Sequence, residues 1–515
     1  MSVTLDRMNK KSSKKTVTSE RYLKLLPDGD NRLKGKKQVA SQKMTTKHKA
    51  PYGIKATQRA ESVTNTKVQA LRNQQKTYNL RQIGARRAKK IILLVGILSI
   101  FGVVMIFAAS AVTSTIAGKS PFSLALRQVM WVFCGGIGCL VASKMSLQKI
   151  RDLAKPLLLI AGVLLVVVLV PGISKSSGGA SRWIGIGPFE VQPSELAKLA
   201  FAIFAADLIT KRENSKRYVK HLVAPLAIVA VMLGILIMRQ PDLGTTMIVV
   251  GVGLVELGVS RLPKKIFLVT LAVSAALVAL LSVIEPYRFN RLLAFLNPSA
   301  NAKGSAYQLI QSQLALGQGH IAGVGFATSP MAWGLLPNAQ TDFIFSVIGN
   351  DMGVVGTLAV LAAFTALFVL GIKTALAARD VFLSYLGIGL VVLICGQAFL
   401  NMAGVIGILP ETGVPLPFFS SGGSSLIVML TACGVLVNIS RHPLTVTSPK
   451  KSRFGAGGGR YTYLVHEKRL VKKTEIAAYI GENERKSRVS QNRVQANKPA
   501  SSPYSVKDFE GKYRS

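Results

Sequence analysis

The stretch IILLVGILSIFGVVMIFAASAVT, residues 91–113, contains 23 consecutive side chains without a charge. A run of about 20 apolar residues is long enough to cross the hydrocarbon core of a bilayer as an α-helix. A strand of that length would exceed the strands of most sheets. The stretch therefore predicts a transmembrane helix.

Further apolar runs of similar kind follow this one up to residue 440. The mean hydropathy of the chain is +0.37 although both ends are polar, so the apolar residues are concentrated in the middle. The pattern predicts an all-α, polytopic membrane protein with about ten transmembrane helices. The predicted helices cover residues 91–113, 126–142, 156–170, 194–210, 222–238, 245–259, 266–284, 342–370, 381–402 and 422–440.

Both ends of the chain are strongly basic. The formal net charge is +41, and residues 1–90 hold 24 Lys and Arg side chains against 5 Asp and Glu. Residues 1–90 and 441–515 are predicted to be disordered cytoplasmic tails that flank a membrane domain at residues 91–440. Because the charge flanks membrane helices, we assign it to anionic lipid and to topology, and we expect no nucleic acid as a partner.

The short loops between the helices indicate the orientation. If the N-terminus is cytoplasmic, the inner loops are rich in Lys and Arg and the outer loops carry far less per residue, and an even number of helices places both termini inside. Three loops then lie on the outer face. They are residues 171–193, residues 403–421, and a large extracytoplasmic loop, residues 285–341, between the seventh and eighth helices.

The first outer loop carries two pairs of candidate residues. Arg182 and Trp183 are adjacent, which suits either an interfacial anchor or a contact with phosphate and lipid. Glu195 and Lys198 are three residues apart and share a helix face. They form either a local ion pair at a helix start or part of a cavity, because ionisable groups at the edge of the hydrocarbon usually face one.

The large outer loop contains a second candidate pair, Arg288 and Arg291. Two guanidinium groups three residues apart fit an anionic phosphate ligand, although either one alone also suits a lipid head group. The segment at residues 306–317 has the pattern of an amphipathic helix at the membrane interface.

Asp342 follows this loop at the start of the eighth predicted helix. A carboxylate at the outer mouth of a helix bundle, beside several cations, can stay ionised and act as a general base. Aspartate is also a favoured N-cap, and its position alone favours the cap.

Six blocks of sequence, in this order and spacing, resemble the SEDS family of bacterial shape, elongation, division and sporulation proteins. The resemblance covers residues 91–440, and neither tail contributes to it. The first three helices are more similar to division-type members than to elongation-type members. The blocks are RWIGIGPFEVQPSELAK, QPDLGTTM, RLLAFLNP, AYQLIQSQLALGQG, LPNAQTDFIF and ILPETGVPLPFFSSGGSS.

The resemblance implies a peptidoglycan glycosyltransferase of the bacterial cytoplasmic membrane that polymerises lipid II on the outer face, at the division septum. The implied partners are lipid II, a class B penicillin-binding protein, other division proteins and membrane lipid. The essential aspartate of the family falls on Asp342, which favours the base over the cap. The substrate-binding residues that we assign are Arg182, Trp183, Glu195, Lys198, Arg288, Arg291 and Gln308.

The chain also departs from the family pattern. Many members carry other residues where this chain has Ala332, Asn338 and Gln340, so substrate contacts at these positions stay open. A divalent cation, Mg²⁺ or Mn²⁺, is also left open, because the sequence contains no dedicated metal cluster. The alternative functions are a lipid II flippase, a non-catalytic division scaffold and an elongation-type polymerase.

Overall fold

The computed structural model describes residues 52–442, apart from residues 172–173, 178–179, 187–188, 303, 305, 330–332, 338 and 379. Most of the two predicted tails, residues 1–51 and 443–515, therefore lies outside the described residues. The chain divides into two units, Met1–Leu71 and Arg72–Ser515, and the membrane domain belongs to the second.

The first helix, α1, covers Tyr52–Ile116 and is much longer than the predicted 91–113. The structure therefore has a helix at residues 52–90, where a disordered tail was predicted. No proline occurs between Pro51 and Pro121, and residues 52–90 are rich in Ala, Gln, Lys and Arg. These residues are good helix formers, so the apolar run continues a basic helical segment without a break.

The structure has a helix at each of the other predicted positions. Seven helices in the described part of the chain are long and apolar enough to cross a membrane, and α4 and α7 are shorter apolar helices. The predicted count of ten spans stays a prediction. The helices are α2 (Ser123–Lys144), α3 (Leu147–Asp152), α4 (Ala154–Val167), α5 (Pro193–Arg212), α6 (Ala224–Met238), α7 (Leu243–Val259), α8 (Lys264–Ile284), α9 (Pro286–Leu296), α10 (Tyr307–Gln318), α11 (Ile344–Leu376), α12 (Val381–Val391), α13 (Gln397–Ile406) and α14 (Gly423–Arg441).

The first outer loop contains a small sheet that the all-α prediction did not include. The strands β1 (Ser174–Ser177), β2 (Ala180–Ile186) and β3 (Phe189–Val191) pair antiparallel in the order β1-β2-β3. Along the sequence, the strands are separated by two residues each, and both connections contain glycine. The all-α architecture is confirmed for the membrane part, and the sheet lies in the chain just before α5.

The large outer loop is mostly helical. It contains α9, a 3₁₀ turn at Pro298–Asn301, and α10, which confirms the helix predicted at residues 306–317. The segment after α10 packs against α11, which is interrupted at Gly353, where φ is +66°. The amide of Val354 donates to the carbonyl of His320, and the amide of Val324 donates to the carbonyl of Asn350. These bonds satisfy backbone groups that the interruption leaves unpaired.

The helices that support the outer loops differ in burial. In the most apolar stretch of each helix, 83% of α14 and 78% of the segment containing α12 and α13 is buried, whereas no residue of α8 is buried. The helices α12, α13 and α14 therefore lie at the centre of the bundle, and α8 lies at its periphery. A groove of about 410 Å³ with mostly apolar walls lies between α6, α7 and α8.

Candidate active site

Asp342 lies in the turn directly before α11 and is half-buried. The helix starts at Ile344, with Phe343 at the N-cap position and no side-chain hydrogen bond that caps it. The alternative in which Asp342 is simply the helix cap is therefore wrong in this structure. Its carboxyl group lines a narrow cleft beside the loop between α13 and α14 instead. The residues around this cleft are Arg291, Gln308, Asp342, Phe343, Asn401, Gly404, Val405, Glu411, Thr412, Gly413 and Val414.

The backbone next to Asp342 is held by α13 and by the loop that follows it. The side-chain amide of Asn401 donates to the carbonyl of Asp342 over 2.7 Å and to the carbonyl of Val414 over 2.8 Å. The hydroxyl of Ser420 donates to the carbonyl of Thr341 over 2.6 Å. These contacts hold the backbone from which the carboxyl group of Asp342 projects, which narrows the region that the carboxyl group can occupy.

The charges around the cleft act on Asp342. Burial raises the pKa of Asp342 to about 6, while the guanidinium groups of Arg291 and Arg182 lower it and the carboxylates of Glu411 and Asp242 raise it. A general base works best when its pKa lies near the operating pH. Asp342 is therefore ionised at neutral pH and more basic than an ordinary aspartate.

Arg291 brings a positive charge to the same cleft. It projects from α9, and its Nε lies 3.3 Å from Oε1 of Glu411. A Cβ atom added at Gly413 would lie 3.7 Å from Oδ2 of Asp342 and 3.9 Å from Nη1 of Arg291. Gly413 therefore lies close to both Asp342 and Arg291, and the guanidinium of Arg291 pairs with Glu411 and acts electrostatically on Asp342.

The second arginine of the predicted pair, Arg288, is placed by its backbone alone. It lies on α9, one turn before Arg291, so the two positions share a helix face. Gln308, on α10, is half-buried and lines the cleft, as expected for a substrate-binding residue.

Arg182 and Trp183 lie on β2. Nε and Nη2 of Arg182 donate to the carbonyls of Gln240 and Pro241 over 2.7 and 2.6 Å. Arg182 therefore connects the outer sheet to the start of α7, and its charge also acts on Asp342. Trp183 is half-buried and pairs with Lys175 of β1.

Glu195 and Lys198 lie inside the bundle rather than at the cleft. Nζ of Lys198 donates to Oε1 of Glu195 over 2.8 Å and to Oε1 of Gln397 over 2.6 Å. The two charged side chains are 1% and 0% exposed. The amide of Gln397 in turn donates to the carbonyl of Pro415 over 2.9 Å. This geometry gives the pair a structural link to the outer loop and does not support the substrate contact predicted for it.

Three residues near Asp342 or in contact with the loop beside it were not predicted as site residues from the sequence. Gln397 and Asn401 are four residues apart in an otherwise apolar helix, which marks one polar face. Glu411 is the only acidic residue in the loop at residues 403–421. These signals were visible, but their connection to Asp342 depends on tertiary contacts.

The positions that depart from the family pattern are only partly placed. The carbonyl of Gln340 accepts a hydrogen bond from the amide of Ser421 over 2.9 Å, while Ala332 and Asn338 lie outside the described residues. Among the side chains that the structure does describe, no group of three His, Cys, Asp or Glu could hold a metal ion. The divalent cation stays a prediction.

Comparisons with known proteins agree with this architecture. The chain is 39% identical over 355 residues to a probable peptidoglycan glycosyltransferase FtsW of Mycobacterium tuberculosis, which covers 68% of this chain and 67% of that protein. It is 37% identical over 344 residues to the stage V sporulation protein E of Bacillus subtilis, which covers 66% and 93% of the two chains.

Two solved structures are similar to the fold. One comes from a study of the structural coordination of polymerization and crosslinking by a peptidoglycan synthase complex, with a TM-score of 0.57, 27% identity, and coverage of 68% of this chain and 97% of that chain. The other is the rod shape determining protein RodA of Thermus thermophilus, with a TM-score of 0.51, 25% identity and coverage of 68% and 96%.

A family model described as cell cycle protein, which spans FtsW, RodA and SpoVE, matches residues 88–444. The match covers the described membrane helices and all three outer loops. The chain therefore belongs to the FtsW/RodA/SpoVE family.

Proposed function

We propose that the chain is a division-type peptidoglycan glycosyltransferase that polymerises lipid II at the outer face of the cytoplasmic membrane. Similar proteins of M. tuberculosis and Geobacter metallireducens carry the name probable peptidoglycan glycosyltransferase FtsW. The observation that carries the proposal is the cleft, where the carboxyl group of Asp342, with a pKa of about 6, lies near the guanidinium of Arg291.

The chemistry of such a cleft is inverting glycosyl transfer. Asp342 takes the proton of the acceptor sugar's 4-hydroxyl, and the oxygen attacks the anomeric carbon of the donor as the polyprenyl diphosphate leaves. Arg291, with Arg288 on the same helix and Arg182 nearby, stabilises the negative charge that develops on the diphosphate. The base contributes typically about 10²–10⁴-fold to the rate.

The groove between α6, α7 and α8 suits the lipid part of the substrate. Its walls are mostly apolar, and its lining includes Arg239 and Glu285, which lie at the outer ends of α6 and α8. A polyprenyl chain in this groove would therefore stay in an apolar environment while its diphosphate reached the outer face.

The same family membership supports a location and a partner. The chain is a multi-pass membrane protein, and we place both termini in the cytoplasm on the basis of the basic inner loops. A class B penicillin-binding protein is the proposed partner, in line with the peptidoglycan synthase complex that has a similar fold. Other division proteins, membrane lipid and a septal position are proposed with it.

The alternative functions receive less support. A flippase or a scaffold needs no basic carboxylate in an outer cleft, and relatives at 35–39% identity are named as FtsW glycosyltransferases. An elongation-type polymerase would use the same chemistry, but its solved representative is only 25% identical.

The experiment that tests the function is lipid II polymerisation by the purified full chain, with and without its penicillin-binding partner. Asp342→Asn should reduce the rate by about 10²-fold or more, while Asp380→Asn, a helix cap on the cytoplasmic side, keeps activity. Full activity of Asp342→Asn contradicts the role of the aspartate. Lipid II translocation without glycan product favours the flippase.

A further inference from the structure

Arg291 has an acidic partner in the cleft, Glu411, that is separate from the proposed base. Nε of Arg291 lies 3.3 Å from Oε1 of Glu411, and the two side chains are 25% and 10% exposed. Glu411 lies in the outer loop between α13 and α14, and Arg291 on α9, so the ion pair joins two elements across the cleft.

The carboxylate of Glu411 is poorly satisfied in this pair. Its second oxygen, Oε2, is buried and has no hydrogen-bond partner among the described residues. Burial raises the pKa of Glu411, although Arg291 lowers it. A buried ion pair that leaves one oxygen without a partner gains little net free energy, because desolvation offsets the attraction. A stronger anion can therefore displace it.

A diphosphate is such an anion. It presents several oxygens and more than one negative charge, and the planar guanidinium binds phosphate oxygens through paired hydrogen bonds. Both anions need the same group, so Glu411 and a diphosphate compete for Arg291.

We propose that Glu411 is a positioning residue that holds the guanidinium of Arg291 in the cleft and releases it when the diphosphate of the donor binds. The proposal rests on the proposed function, because the diphosphate is the leaving group of that reaction. It assigns a role to Glu411, which is neither the proposed base nor one of the residues that hold the backbone of the base.

Release of Arg291 has a consequence for protons. Glu411 then lacks its cation in a buried place, so it takes up one proton from solvent. Protonation at low pH removes the competition in advance. The wild-type protein should thus bind a diphosphate less tightly than an uncharged variant at high pH, and the difference should become smaller as pH falls. The charge of Arg291 lowers the pKa of Glu411. The pKa of Asp342, in the same cleft, depends on the charges of Arg291, Arg182, Glu411 and Asp242.

The test is calorimetric binding of inorganic pyrophosphate to the full chain in nanodiscs at pH 8 and pH 5.5. Wild type is compared with Glu411→Gln, and with Glu190→Gln on β3 as a control for loss of a carboxylate on the outer face. The charge of pyrophosphate itself changes between pH 5.5 and pH 8. Comparing the affinities of variant and wild type at the same pH removes this effect. We expect Glu411→Gln to bind about three- to tenfold more tightly than wild type at pH 8, a smaller ratio at pH 5.5, and no change for Glu190→Gln.

Equal or weaker binding by Glu411→Gln at pH 8 overturns the proposal. The proposal is also overturned if Glu411→Gln increases the affinity for pyrophosphate in an Arg291→Gln background, because Glu411 and pyrophosphate then have no guanidinium to compete for. Glu411→Met serves as a second uncharged variant if the first does not fold. Polymerisation is measured separately, so wild-type protein that binds pyrophosphate without making glycan contradicts the proposed function and not this competition.

Discussion

The side-chain amide of Asn401 donates to the backbone carbonyl of Asp342 over 2.7 Å and to that of Val414 over 2.8 Å. One buried NH₂ group therefore joins the turn that carries the proposed base to the loop that carries Glu411. The contact is made to the main chain, so it holds the backbone of Asp342 and leaves the charge of the carboxyl group unpaired with Asn401. Asn401 is a positioning residue in this sense.

We predict that Asn401→Ala lowers kcat for lipid II polymerisation by at least about tenfold with a smaller effect on KM, because a small displacement of a base is costly. The measurement is the initial rate per folded protein. Asn438→Ala is the matched control. Asn438 is also buried and donates to two carbonyls, those of Ala142 and Met145, at 2.8 and 2.7 Å. Equal losses of kcat in both variants would show a general packing effect and contradict the prediction.

A second prediction concerns pH. Burial raises the pKa of Asp342 to about 6, and the base must be ionised to accept a proton. The polymerisation rate should therefore fall about tenfold for each pH unit below 6, and it should be nearly constant between pH 7 and 8. Initial rates from pH 5 to 8, with enzyme returned to pH 7.5 as a control for inactivation, test this. A rate that does not change between pH 5 and 7 rules out Asp342 as the titrating base.

The same pKa makes Asp342 a cost to stability at neutral pH. Its folded pKa is raised, so the favourable neutral form is fully present below the unfolded value and is lost as pH rises through about 6. Asp342→Asn should therefore raise the thermal midpoint at pH 8, by the equivalent of up to about 3 kcal/mol for a shift of about two pKa units. The gain should shrink towards pH 4.

Thermal unfolding in detergent at pH 8, 6 and 4 measures this effect. Asp152→Asn, an exposed residue of α3, is the control and should not change the midpoint. A lower midpoint for Asp342→Asn at pH 8 would mean that the carboxylate is stabilised by its neighbours and would contradict the expected sign.

The membrane helices could be predicted from the sequence because a bilayer imposes their length and composition locally. The helical segment at residues 52–90 was missed because its basic composition resembles a disordered tail, while its good helix formers and lack of proline carry a weaker signal. The sheet formed by β1, β2 and β3 was missed because its strands are only three to seven residues long.

The position of Asp342 alone favoured a helix cap, and the family resemblance pointed to a base. The structure places Asp342 and Arg291 at one cleft, so their proximity agrees with the prediction while their roles stay predictions. The sequence left two interpretations of Glu195 and Lys198 open, a local ion pair and a cavity, because charges three residues apart on one helix face look the same in both settings. Only the contact with Gln397, 199 residues after Lys198, separates these cases.

That contact leads to the last prediction. Lys198 is fully buried and donates to both Glu195 and Gln397. Lys198→Met leaves a buried carboxylate without its cation, which typically costs about 3–5 kcal/mol. It also frees Gln397, whose amide holds the carbonyl of Pro415, so the rate of polymerisation should fall as well. Both effects are measured on protein purified at low temperature, by thermal unfolding and by initial rates.

Lys211→Met is the matched control, since Lys211 lies on the same helix and pairs with Asp207 but is 54% exposed. Its loss should cost less than about 1 kcal/mol, as for exposed ion pairs. The double variant Glu195→Gln/Lys198→Met should regain part of the stability, because the buried charge is then removed. If the double variant is less stable than Lys198→Met alone, Glu195 is stabilised by groups other than Lys198. The buried pair would then not be the link between α5 and the loop that supports Asp342.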